Sequence, residues 1–195
     1  MGRGSSKAGR SGNTSAFTPK AGQREFEERW RNAKIEHGAY LDGEGNILLE
    51  ATGTSDYVDF DYHEVNHKVE QRIWNDEEVN FTHNHPINTV FSPDDIDIFE
   101  QEESHSTSAV CPNGMTYRLI RNQPRTSHVW VDGHYTFEPK KIAGDYDAEY
   151  RRFLSLSDRS THTDSWYEHE LTPHMASWLR QNASSYGYIF VEERK

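Results

Sequence analysis

Residues 83–95 read His83-Asn84-His85-Pro86-Ile87-Asn88-Thr89-Val90-Phe91-Ser92-Pro93-Asp94-Asp95, and this stretch decides the reading of the chain. Side chains on a β-strand alternate faces with period two, so two histidines one residue apart point the same way. The run before them, Val79-Asn80-Phe81-Thr82, is short, β-branched and aromatic, which predicts a strand over 79–83 that ends at the histidines. Pro86 lacks a ladder donor and opens a loop. Ser92-Pro93-Asp94-Asp95 reads as a helix start: Ser at the N-cap, Pro at the first helical position, acids in the first turn. A strand end thus delivers two imidazoles, and a helix start delivers a carboxylate toward them. His83, His85 and Asp95 are the candidate metal ligands. Such a trio leaves the fourth position of a tetrahedral zinc free for water, as in a catalytic rather than a structural site. In a chain with 11 histidines a His-x-His pair says little alone; the strand before it and the cap beyond it single it out.

His83-x-His85-Pro86, a short loop and Ser92-x-x-Asp95 together resemble the JAMM motif of the JAB/MPN metallopeptidases. The line from Thr82 to Pro86, with Phe91-Ser92-Pro93-Asp94-Asp95-Ile96, is most similar to the prokaryotic and phage-borne branch. Eukaryotic deubiquitinating members and DNA-repair relatives carry one more residue between the proline and the serine, a difference that points away from ubiquitin as substrate. The resemblance implies an α/β fold, a cytidine-deaminase-like mixed β-sheet flanked by helices, with bound Zn2+ and a peptide or protein substrate cut at a peptide or isopeptide bond. It also implies a glutamate on an earlier strand as general base. Here the candidate is Glu36, in Ile35-Glu36-His37-Gly38-Ala39-Tyr40-Leu41, where it shares a face with Gly38 and Tyr40. A glycine beside the carboxylate leaves room for water or substrate. The rivals Glu44, in the Asp42–Asn46 turn, and Glu50, ending the next strand, are expected to face solvent.

The implied chemistry is amide hydrolysis. Zinc lowers the pKa of a water to about 7, Glu36 takes its proton and hands it to the leaving nitrogen, and Ser92 donates to the developing oxyanion. Ser92 also serves as N-cap, while Asp94, the neighbour of Asp95, decorates the helix N-terminus.

A second pattern competes. His63-Glu64-Val65-Asn66-His67 is a literal H-E-x-x-H, the zincin signature, with two imidazoles at i and i+4. Tyr62, Val65, Val69 and Ile73 form the apolar stripe of the helix expected over 62–74, which turns both histidines toward its flank or solvent. No third ligand stands out downstream. The zincin is the lesser alternative to the JAMM site. A module that keeps the fold without turnover, such as a phage or mobile-element assembly component, is the other.

Net charge −11 is unevenly placed. Residues 1–24 hold Arg3, Lys7, Arg10, Lys20 and Arg24 and no acid, among Gly, Ser, Ala, Thr and Asn, and are expected to be a disordered basic tail. The body is acidic, which disfavours phosphate-backbone binding and makes nucleic acid an unlikely partner beyond that tail. No stretch approaches the roughly 18 apolar residues of a membrane span. The lone Cys111 fits a reducing, cytoplasmic setting and reads as a small buried hydrophobe rather than a nucleophile.

The expected order is a charged helical lead-in at 25–33, strands 35–41 and 47–51, helix 62–74, strand 79–83, helix 93–103, and strands 108–111 and 115–121 around Pro112-Asn113-Gly114. The JAB/MPN-like core is placed at 25–121 and an elaboration at 122–195. That elaboration comprises a hairpin over 128–137, helices over 140–157 and 165–183, and a short aromatic strand over 186–191.

Overall fold

The protein is described from a computed structural model, over residues 19–122, 129–131, 134–136 and 142–195. Six strands form one mixed sheet: β1 His37–Asp42, β2 Ile47–Thr52, β3 Val79–Asn84, β4 Ser106–Val110, β5 Met115–Arg121 and, from the end of the chain, β8 Tyr188–Arg194. Their order is β2-β1-β3-β4-β5-β8, and β3 with β4 is the parallel pair. The β1–β2 hairpin turns through Asp42–Asn46, where Gly45 takes φ +88 and the Asp42 carboxylate accepts the Glu44 and Asn46 N–H groups. Strands β6 Val129–Val131 and β7 His134–Thr136 pair antiparallel as a separate ribbon, as the expected 128–137 hairpin requires; the residues joining them lie outside the described ones.

One face of the sheet carries most of the helices. Tyr62–Val65 (α2), a π-helical turn Asn66–Glu70 and Gln71–Trp74 (α3) run on as one rod, which seats Val69 and Ile73 on Tyr40, Leu49 and Val79. Helix α4, Pro93–Gln101, packs with α5, Ile142–Leu154, over the other half of that face. Short α6, Asp164–Trp166, passes through a π turn, Tyr167–Leu171, into α7, Thr172–Asn182. Phe91, Phe99, Leu119, Tyr146, Met175 and Leu179 interlock there as the main core. The metal-site candidates sit at the seam between these two clusters.

The opposite face is covered by α1, Ala21–Trp30, with Phe26 against Ala39 and Leu41. This helix begins four residues before the expected lead-in, inside the stretch expected to be unstructured. Its first turn is held because Gln23 is buried and donates to Ser108 on β4. Residues 1–18 of that tail lie outside the described ones. Strand β8 pairs with β5 from Met115↔Arg194 to Arg121↔Tyr188, so the C-terminal segment completes the central sheet as well as adding helices beside it. Among the described residues no helix is long and apolar enough to cross a membrane.

Candidate metal centre

His83 is 2% exposed near the end of β3, between Gly38 of β1 and Ala109 of β4. His85 lies just past the strand, its backbone N–H donating to the Val110 carbonyl at 3.0 Å, which carries the period-two alternation one step further. The two Nε2 atoms are 2.8 Å apart. Asp95 arrives from the first turn of α4, with Oδ1 3.2 Å from His83 Nε2 and Oδ2 3.4 Å from His85 Nε2. One ligand atom from each residue falls within a 4.8 Å cluster, the arrangement of a group able to hold a metal ion.

The sequence builds this locally. Ser92 and Asp95 form a capping box: Asp95 N–H donates to Ser92 Oγ at 3.2 Å, and Asp95 Oδ2 accepts from the Ser92 N–H at 2.6 Å. The Ser92 hydroxyl donates to the same Oδ2 at 2.8 Å. The Ser92 hydroxyl is thus engaged with the Asp95 carboxylate in this structure. His85 Nδ1 faces the Thr89 carbonyl and hydroxyl, each at 3.0 Å, which fixes the ring and turns Nε2 inward. His83 Nδ1 is buried with no hydrogen-bond partner among the described residues.

The donor set fits a cation better than it fits itself. Two imidazole nitrogens at 2.8 Å can share only one proton, whereas a divalent ion accepts a lone pair from both and from the carboxylate. Burial alone would raise the Asp95 carboxyl, yet the adjacent imidazoles hold it well below the ordinary range. Burial alone would lower His85, and the Asp95 carboxylate outweighs it and holds the ring above its ordinary value.

Glu36 stands just before β1, half-buried, and feels both histidines and Asp95. Its carboxyl is raised by burial, with His83 and His85 opposing and Asp95 and Asp56 adding to the rise. Asn84, the residue between the two histidines, points to the other side of the sheet and is fully buried. Its Oδ1 accepts the His37 N–H at 2.7 Å and its Nδ2 donates to the Ile35 carbonyl at 3.1 Å. A single side chain from the ligand-bearing strand thus brackets the backbone of Glu36. Neither Asn84 nor Thr89 was singled out by the sequence reading, although both lie inside the decisive stretch. The room that Gly38 was expected to leave for water or substrate is taken by aromatic rings: a Cβ there would meet the Phe60 ring at 3.0 Å and Phe81 at 3.2 Å, so the glycine admits an aromatic wall beside the site.

The remaining candidates separate cleanly. Glu44 is exposed in its turn, and Glu50 accepts from Trp30 Nε1 at 2.7 Å and pairs with Arg29 at 3.2 Å. His63 and His67 are exposed, the π turn at 66–70 interrupts their regular helical spacing, and no third ligand joins them among the described residues. Tyr62, expected on the buried stripe, is 69% exposed. The Cys111 thiol is buried, donates to the Thr89 carbonyl and is pushed up to about 12 by burial, which suits packing and not attack. His162 bonds Ser157 and His174 bonds Glu149, both away from the cluster.

Two hollows, of about 400 and about 360 Å3, meet at Glu36, Asp56, Ser92 and Asp95. The first runs beside Phe81 and Tyr40, between α2 and α4. The second runs beside Pro86 and Thr89, toward Tyr167 and Thr172 of the C-terminal segment. Loop 86–91 between strand and helix is pinned to that segment, because Asn88 N–H and Nδ2 both donate to Glu168 Oε1, at 3.0 and 2.9 Å. The chain matches no known protein-family pattern and no characterised protein.

Proposed function

We propose that this protein is a zinc-dependent hydrolase of the JAB/MPN (JAMM) type that cleaves a peptide or isopeptide bond in a polypeptide substrate. The observation that carries the reading is the convergence of His83, His85 and Asp95 on one point at the junction of two hollows, with Glu36 lining both. His83 and His85 through Nε2, and Asp95 through its carboxylate, would hold the ion. Bound zinc supplies Lewis acidity, bringing a water into the reach of neutral pH, with a pKa of about 7. Glu36, its carboxyl raised by burial, would be the group that holds and moves the proton, as general base and then as acid toward the leaving nitrogen. Asn84 positions Glu36, and Ser92 and Thr89 align the ligands. The mixed sheet with helices on both faces is the architecture the JAB/MPN reading calls for.

Zinc per chain, measured by elemental analysis, tests the metal half. About one zinc in the wild type and none in His83→Ala/His85→Ala is the expected outcome; zinc retained by the variant would move the site to His63 and His67 and sink the reading. Cleavage of denatured casein by the zinc-loaded protein, lost in Glu36→Gln at unchanged zinc content, tests the hydrolytic half.

A further inference from the structure

Among the carboxylates lining the first hollow that the hydrolytic chemistry does not use, Glu70 and Glu102 stand out. Glu70 comes from the rod over β1 and β2, and Glu102 from the C-cap of α4, so two separate elements bring them to the same slot. Each keeps one internal contact: Asn66 Nδ2 donates to Glu70 Oε2 at 2.8 Å, and the Tyr40 hydroxyl donates to Glu102 Oε1 at 2.6 Å. Glu102 Oε2 is buried with no hydrogen-bond partner among the described residues. Neither carboxylate forms an ion pair among the described residues, and no lysine or arginine lines the slot. Burial, with the Glu70 carboxylate nearby, raises the Glu102 carboxyl to about 7.

The walls leading to this pair are aromatic. Tyr40, Phe60 and Phe81 pack edge-on and tilted with centroids 4.9 to 6.0 Å apart, and Phe81 stacks on His83 at 5.2 Å. Tyr62, 69% exposed, and Ile98, 46% exposed, stand at the rim. From His83 to Phe81 is two residues along β3, about 7 Å, a distance comparable to a lysine side chain. A slot with aromatic walls and an acidic lining, which touches His83 and Asp95 and also Glu70 and Glu102, matches a long aliphatic stem that ends in a cation. Stem burial with the charge at the tip is how lysine and arginine occupy mixed surfaces, and aromatic faces add cation–π attraction.

We infer that this slot is a specificity pocket for a lysine or arginine side chain of an extended polypeptide that runs on past Glu36 into the second hollow. The inference rests on the hydrolase reading for calling that polypeptide a substrate. The slot is tested by binding alone. The probe is Ac-Ala-Ala-Lys-Ala-Ala-amide against the same peptide with norleucine, a neutral side chain of similar length, titrated calorimetrically into zinc-loaded full-length Glu36→Gln. The lysine peptide is expected to bind at least tenfold more tightly. Glu70→Gln/Glu102→Gln, which retains acceptors for Asn66 and Tyr40 while removing both charges, is expected to abolish that preference. Glu25→Gln/Glu28→Gln on the far side of the sheet, with the same change of charge, is expected to preserve it.

Equal binding of the two peptides, no binding of either at millimolar concentration, or a preference that survives Glu70→Gln/Glu102→Gln would overturn the inference. So would n-butylamine binding as tightly as the peptide, which would assign the slot to a free amine. A lysine preference with no wild-type cleavage of any polypeptide would leave the slot standing and remove the hydrolase. Cleavage without the preference would do the reverse.

Discussion

The two faces of the central sheet bury polar groups in opposite ways. On the α1 face, Arg118 is fully buried, yet NH2 meets Glu27 at 2.6 Å and Glu193 at 3.0 Å while NH1 donates to Ser108 at 2.8 Å. Arg31 likewise donates to the Cys111 and Met115 carbonyls and to Thr116 Oγ1. Opposite charges meet, and in this network only Glu27 Oε2 is without a hydrogen-bond partner among the described residues, 4.0 Å from Lys195 Nζ. On the other face, His83, His85 and Asp95 converge with their lone pairs toward one point, and Glu36 adds a further carboxyl nearby. Among the described residues that line the two hollows, no lysine or arginine supplies the matching positive charge. Buried polarity alone does not mark a site; buried polarity that lacks its complement does.

The largest effect expected from breaking this contrast is on the closed side. Arg118→Ala strands Glu27 without its partner and should cost about 3–5 kcal/mol in urea unfolding, whereas Glu27→Leu/Arg118→Met should come close to wild-type stability. A single variant that unfolds no more easily than wild type would show the pair to be dispensable. On the open side, stability should follow the metal. At zinc one hundredfold above its dissociation constant the wild type gains about 2.7 kcal/mol, and His83→Ala/His85→Ala should gain nothing, while its metal-free melting temperature stays near that of metal-free wild type.

Asn84 belongs to both faces, buried on one and serving the other. Asn84→Ala should cost about 1–3 kcal/mol through two lost buried hydrogen bonds. It should also lower the turnover rate at least tenfold with zinc content and KM unchanged. A purely structural role would show as lower stability with turnover per folded molecule intact. The smallest effect concerns pH. Because the Glu102 carboxyl is raised from 4.5 to about 7 in the folded protein, the folded state holds its proton over that window and stability falls as pH rises through it. Glu102→Gln should flatten that fall, by about 1–2 kcal/mol in the difference between pH 5 and pH 8. A wild-type profile already flat in that window would contradict it.

What could be read directly from the sequence was what is encoded within a few residues. The strand before His83, the break at Pro86 and the Ser92–Asp95 capping box are local, and they placed all three ligand candidates. Glu36 needed only a neighbouring strand. The Arg118–Glu27 pair is separated by 91 positions, and the Asn84–His37 bond by 47, so neither leaves a local trace. The exposure of Tyr62 was hidden for another reason. The stripe Tyr62, Val65, Val69, Ile73 assumes regular winding, and the π turn at 66–70 breaks it, leaving Val69 and Ile73 buried and Tyr62 on the groove. Helix α1 was masked by composition: Ala21 and Gly22 continue the Gly/Ala/Ser-rich run, and only packing on the sheet orders them.

The last strand has a kinetic consequence. Strand β5 finds its outer neighbour in β8, and Arg118 reaches Glu193 across 75 positions of chain. At a translation rate of about 5–20 residues per second, the edge of β5 waits roughly 4–15 s on the ribosome before its partner has even been made. Throughout that interval it offers an unsatisfied row of N–H and C=O groups, the template on which strands of other molecules can add. The arrival of residues 188–194 closes that edge, and the speed of synthesis through the preceding helices sets how long it stays open.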